Sequence, residues 1–296
     1  MQPAEPIESL PFPLSQNPFC RYEPIEKRIK SIRALIIDDL LRDERDLSDV
    51  ARSEWGKSAT VQLKRERQIS GMALENIINN VQRLVQEPVT EVAHISEAAT
   101  ATQKFEPEAI ILSGTLRDFD YYDPKILTDF TNFIRETRVP VLAICGGHQL
   151  VGLSYGARVV TLANLEQHEQ RENRPVEYQY RFVRIIAPDD PIFENLNDGE
   201  GGKSRILRVW QNHGLQLDRI PDGFELLATS YLCRNQMMVR RADKQLIYTV
   251  QFHLEKSFED WNKSRTRWEH PNESRDGRIL FENFLRLALQ HVSKSQ

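Results

Sequence analysis

Four short strand-like runs, three of them ending at a small or acidic residue, constrain the fold of this 296-residue chain more than any other feature. They are "IRALIID" at 32–38, "VTEVAHI" at 89–95, "PEAIILSG" at 107–114 and "VPVLAIC" at 139–145. The second alternates; the others are continuous and β-branched, the pattern of a strand covered on both faces. Between them, "GMALENIINNVQRLVQE" places Met72, Leu74, Ile77, Ile78, Val81 and Leu84 near helical spacing. "PKILTDFTNFIRETR" at 124–138 opens on a proline and closes on basic residues, as a helix does. Strand, helix and strand in alternation predict an α/β fold, a mostly parallel central sheet flanked by helices. Sites in such sheets lie at the C-terminal ends of the strands, where Ser113, Gly114 and Cys145 are expected to meet.

The second half adds strand-like segments at "YRFVRII", "ILRVWQNHG", "FELLATS", "QMMVRRA" and "LIYTVQFH", expected as antiparallel additions to the sheet, and an amphipathic helix at "GRILFENFLRLALQH". Residues 1–30 carry Pro3, Pro6, Pro11, Pro13, Pro18 and Pro24, too many for a helix, and read as an irregular Pro-rich arm. Residues 31–296 are expected to form one α/β domain, with 40–88 as a helical insertion. The polar stretch 259–277, with Trp261 and Trp268, reads as a long loop that lids the site, meets a partner or packs down.

Charge excludes some partners. A net charge of −4 gives no pull toward nucleic acid or anionic membrane, and neither is expected as a partner. No apolar stretch approaches the roughly 20 residues of a spanning helix, and the N-terminus lacks the pattern of a signal peptide. Cys20, Cys145 and Cys233 are too few and too scattered for a disulfide framework or a zinc cluster, which suits a reducing, cytoplasmic setting. No metal or organic cofactor is expected.

Cys145 ends an apolar run and precedes Gly146 and Gly147, after which helical sequence begins. A strand-to-helix turn this tight forces its central residue into strained dihedrals and lets the side chain project. The new helix points its N–H groups and positive dipole end at the sulfur, favouring a thiolate and offering donors to an oxyanion. A buried, inert cysteine would also fit this stretch alone. "VQFHLE" supplies the base such a nucleophile needs. His253 and Glu255 lie two residues apart, so in extended geometry both leave the same side of the chain. The carboxylate can then orient the imidazole while the other ring nitrogen takes the thiol proton.

"PVLAICGGHQL", "NHG" and "VQFHLE", in this order and at these separations, resemble the signature blocks of class I glutamine amidotransferase domains, the triad-type family with a flavodoxin-like fold. The resemblance spans residues from Ile32 onward. It implies Cys145 as nucleophile, His253 as base and Glu255 as orienting carboxylate, with Gly114 and Gly146 giving oxyanion-hole N–H groups. Gln149 and His213 would frame the glutamine pocket. The chain departs from the pattern in Leu254, where the family has proline between histidine and glutamate, and in Thr115, where a second glycine is usual. Arg117 is a candidate partner for the substrate carboxylate, and His148 reads as structural.

The expected function is release of ammonia from glutamine through a γ-glutamyl thioester, for an ammonia-accepting synthase that acts in trans as a separate chain. A stand-alone γ-glutamyl amide or peptide hydrolase, and a catalytically weakened binding or regulatory protein of the same fold, are the alternatives.

Overall fold

A computed structural model of the chain describes residues 26–196, 204–242, 244–256 and 275–295. The arm up to residue 25 with Cys20, and the 259–277 loop up to 274 with Trp261 and Trp268, lie outside the described residues. The centre is a nine-stranded sheet in the order β2-β1-β3-β4-β11-β10-β9-β6-β7. Its first five strands are β2 (Val85–His94), β1 (Ile29–Asp38), β3 (Ala109–Leu112), β4 (Val141–Ile144) and β11 (Ile247–Val250), and all pairs among them are parallel. The remaining four, β10 (Met237–Arg240), β9 (Glu225–Thr229), β6 (Glu177–Ile185) and β7 (Ile206–His213), are paired antiparallel. A separate antiparallel ribbon joins β5 (Val159–Thr161) to β8 (Leu215–Leu217).

The central strands β3, β4 and β11 are buried on both faces, as continuous apolar runs require. Along β1, Ala34 and Ile36 point into one core while Leu35 and Ile37 point into the other, the period of two that a strand imposes. The first core is capped by α6 (Arg275–Ser295), through Leu280, Phe281, Phe284 and Leu285. The second is capped by α1 (Asp49–Trp55), α3 (Ala98–Phe105), α4 (Pro124–Glu136) and α5 (Gly146–Ser154). Local sequence sets the helix starts. Ser48 accepts from the Ala51 N–H at 3.2 Å to cap α1, and Asp123 caps α4, where Pro124 takes the first turn.

The 26-residue helix α2 (Ala59–Leu84) belongs to both layers. Leu63 near its start packs in the second core, while Ile77, Val81 and Leu84 near its end pack in the first. Residues 40–88, expected as a helical insertion, thus hold α1, α2 and the start of β2, and they form the connection between β1 and its parallel neighbour. The strand expected at 89–95 begins four residues earlier, directly from the helix. "QEP" looks like a turn, but β2 is an edge strand and pairs only with β1, so Pro88 needs no partner on its open side. No described helix is long and apolar enough to cross a membrane.

Ile36 is fully buried midway along β1, between β2 and β3. Ile36→Ala is expected to lower unfolding free energy by about 3 kcal/mol, read from urea denaturation midpoints.

Candidate active site

Cys145 is the single residue between β4 and α5, and its backbone takes φ 51° and ψ −103°. Such dihedrals cost a non-glycine residue about 1–3 kcal/mol, so the surroundings must hold them. The Cys145 N–H donates to Val250 O at 2.7 Å, and its carbonyl accepts from the Gln149 N–H at 3.2 Å. The loop 113–115, expected to supply an oxyanion donor, closes over the turn at a distance only glycine allows. A Cβ on Gly146 would stand 2.1 Å from Thr115 Oγ1 and 2.4 Å from Thr115 N, and one on Gly147 would stand 2.8 Å from Ser113 O. The Gly147 N–H donates to Ser113 O at 3.1 Å and so is committed to the 113–115 loop.

The three expected triad members converge around Gly114. A Cβ there would lie 3.4 Å from His253 Cε1 and 3.6 Å from Cys145 Cβ. His253 follows β11 and is tied by its N–H to Trp210 O at 2.8 Å, a bridge to β7. Its Nδ1 meets Glu255 Oε1 at 2.7 Å, so its other nitrogen is the one available for proton transfer. Burial works against the imidazolium, but the Glu255 carboxylate and the adjacent Cys145 sulfur outweigh it and raise His253 to about 10. For Glu255, burial opposes ionisation, yet His253 holds the carboxyl below its usual range. The arrangement sets a carboxylate-bound imidazole beside a sulfur, a set of groups in which one proton can pass between ring and sulfur.

Gln149 and His213 both line the cavity in front of Cys145, about 820 Å³ in volume. Gln149 is buried, and its Nε2 donates to Leu215 O at 3.1 Å and to Gln251 Oε1 at 3.0 Å. Gln251 in turn donates to Cys145 Sγ at 3.7 Å. Gln251, fully buried just past the end of β11, carries no signal in the sequence that marks it as a neighbour of Cys145. His213 is braced from behind: Nδ1 meets Leu215 O at 2.9 Å and Nε2 meets Glu177 Oε2 at 3.0 Å. Gln236 and Ser230 also donate to Glu177, at 2.8 and 3.1 Å.

Glu177, His213 and Cys233 bring potential metal-binding atoms within 4.8 Å of one another. Hydrogen bonds already take both Glu177 oxygens, and burial pushes the Cys233 thiol far up, so this donor set is committed to the protein. His148 hydrogen-bonds Thr249 Oγ1 at 2.7 Å, and burial, with His213 nearby, lowers it to about 3. It is neutral and structural.

Arg117 lines the cavity but is committed elsewhere. Its Nε pairs with the buried Glu66 at 2.7 Å, Nη2 donates to Gln62 Oε1 at 2.8 Å, and the guanidinium lies 5.0 Å from the Trp55 ring centre. It fastens the segment that follows β3 to α2. Two arginines that local sequence does not point to, Arg171 and Arg174, stand on the cavity rim and both grip Asp118, Arg174 through two bonds of 2.8 Å.

The sequence model of the glutamine amidotransferase class-I family matches residues 72–269. The chain belongs to that family. Its match begins within α2, so Gln62, Glu66, Arg67 and Ser70 precede it. The glutamine-hydrolysing GMP synthase chain of Methanothermobacter thermautotrophicus, named as one subunit of that enzyme, is 30% identical over 181 residues, covering 60% of this chain and 74% of its own length. A GMP synthase from Pyrobaculum aerophilum is 31% identical over 196 residues, 66% of this chain but only 30% of its own length. A solved glutamine amidotransferase from Thermotoga maritima shares the fold, with TM-score 0.52 and 18% identity over 88% of this chain and 98% of its own. A solved protein from Thermoplasma acidophilum does so with TM-score 0.56 and 20% identity, covering 89% of this chain and 98% of its own.

Two outcomes are expected. Cys145→Gly should exceed Cys145→Ala in thermal stability by the equivalent of about 1 kcal/mol, because both remove the thiol but only glycine relieves the positive φ. The His253 contribution to stability should be fully present below about pH 6.5 and lost as pH rises through about 10, because its folded value is the higher one. Comparing native protein with His253→Gln by denaturant unfolding at several pH values reads this directly.

Proposed function

We propose that this chain hydrolyses the side-chain amide of glutamine, with Cys145 as nucleophile, His253 as acid and base, and Glu255 as the orienting carboxylate. The observation that carries the reading is the cysteine held at φ 51° on a strand-to-helix turn, beside a histidine already bound to a buried carboxylate. The Cys145 thiol passes its proton to His253 as the sulfur attacks the amide carbon, and the oxyanion gathers on the N–H groups of Gly114 and Gly146. His253 gives its proton to the leaving nitrogen, the C–N bond breaks and ammonia departs, leaving a γ-glutamyl thioester. Water then attacks, His253 takes back a proton, and the C–S bond breaks to release glutamate. Each oxyanion donor is worth about 3 kcal/mol of barrier in sites of this kind.

Gln149 and His213 fit the role of framing the glutamine, since both line the cavity and neither side chain is free to swing. Ammonia would pass to a synthase on a separate chain, a reading supported by the relative that is named as one part of a glutamine-hydrolysing GMP synthase. One observation favours a second reading, in which the chain by itself cleaves a larger γ-glutamyl amide. The α2 residues Ile69, Met72, Ala73 and Asn76 wall a cavity of about 820 Å³, more than a free amino acid fills.

Purified protein incubated with glutamine is expected to release ammonia and glutamate in equal amounts, and Cys145→Ala to release neither. Labelling of Cys145 by a glutamine-analogue electrophile should track that activity. Retained activity in Cys145→Ala would sink the assignment, whereas turnover of γ-glutamyl amides but not glutamine would select the second reading.

A further inference from the structure

The helix α2 turns one stripe of side chains toward the site. Gln62, Glu66, Ile69, Ala73, Asn76 and Asn80 follow at spacings of four, three, four, three and four, which keeps them on one face over about 27 Å. The stripe begins on Arg117, in the segment that follows β3, and ends on the backbone of Glu255. Asn80 is buried, and its Nδ2 donates to Glu255 O at 2.7 Å and to Asn76 O at 2.8 Å. With two carbonyl acceptors facing it, only the NH₂ end of the amide fits there, and both of its protons are used.

The Glu255 carboxylate has little else to aim it. Oε1 meets His253, and among the described residues no hydrogen bond reaches Oε2. Its orientation therefore comes from its backbone, which lies beyond the end of β11 and outside the ladder. The flanking residue is leucine, so φ is not locked as proline would lock it. Other contacts hold the segment. Trp210 O takes the His253 N–H at 2.8 Å, Leu254 is buried, and Gly277 packs so close that a Cβ would stand 2.8 Å from Leu254 O. Asn80 bonds the backbone carbonyl of Glu255 directly.

We propose that Asn80 is a positioning residue: it fixes the Glu255 backbone so that the carboxylate stays aligned on His253 Nδ1, a role that rests on the triad reading above. Loss of the amide lets the carboxylate drift, and the imidazolium loses the charge that stabilises it. A purely structural Asn80, which only satisfies a buried carbonyl, would leave the imidazole unchanged while the fold weakens.

Two variants test this, Asn80→Ala and Asn80→Leu, the second keeping the bulk and removing the donor. The imidazole of His253 is followed by NMR pH titration of histidine-labelled protein, assigned with His253→Gln. In both variants its midpoint is expected to fall by about one unit or more. The kcat for glutamine should fall about tenfold with KM nearly unchanged, as for an interaction that matters in the transition state. A folded variant in which His253 titrates as in the native protein overturns the proposal, whatever happens to thermal stability. Failure of native protein to turn over glutamine counts against the functional reading, and the titration still decides the role of Asn80.

Discussion

The left-handed backbone at Cys145 is the constraint from which the rest of the site follows. An L-residue at φ 51° persists only if its neighbours leave no alternative. The chain meets that condition by bringing the 113–115 loop into contact with two successive glycines, where any side chain would collide with Thr115 or Ser113. The same closeness puts Gly114 between Cys145 and His253. The turn is also anchored to the end of the strand that leads to His253, since the Cys145 N–H ends on Val250 O, three residues earlier.

Behind Cys145 lie two chains of buried polar contacts. Gln149, Gln251 and Cys145 form one chain of contacts, while Gln211, Gln236, Glu177 and His213 form another. Buried amides are costly unless paired, so such chains rigidify the groups they join. Rigidity here falls on Gln149 and His213, the two cavity-lining residues whose orientation would matter most for a small polar substrate. The buried Cys233 marks the contrast with Cys145: its thiol faces a backbone carbonyl and is held protonated by burial.

The long helix α2 reorganises how the N-terminal third is understood. As sequence it is a charged, weakly patterned stretch, because one of its faces looks not at an apolar core but at the site. Its polar residues have specific targets. Arg67 and Ser70 hold Asp38 at the end of β1, at 2.7 and 2.8 Å, and Arg67 also binds the Leu40 and Leu41 carbonyls. Glu66 and Gln62 hold Arg117, and Asn80 holds Glu255. Local sequence offers Arg117 as a candidate for the substrate carboxylate or as a solvated loop arginine, because its partner, Glu66, lies fifty-one residues earlier and nothing in local sequence connects them.

What the sequence alone determined is what depends on near neighbours. Apolar runs at 32–38, 107–114 and 139–145 fix β1, β3 and β4, because strand burial is written in consecutive residues. The Cys-Gly-Gly turn and the His-x-Glu pair are likewise local, each lying within three residues, although the structure places the pair in a turn beyond β11 rather than on the strand. Only the tertiary structure decided that 40–88 contains the crossover between two adjacent strands, that β2 absorbs Val85 to Pro88, and that Gln251, Asn80 and Glu66 belong to the site. The physical reason is common to these cases. Hydrogen bonds between side chains far apart in sequence, and the tolerance of an edge strand for proline, depend on which elements become neighbours, and no local pattern records that.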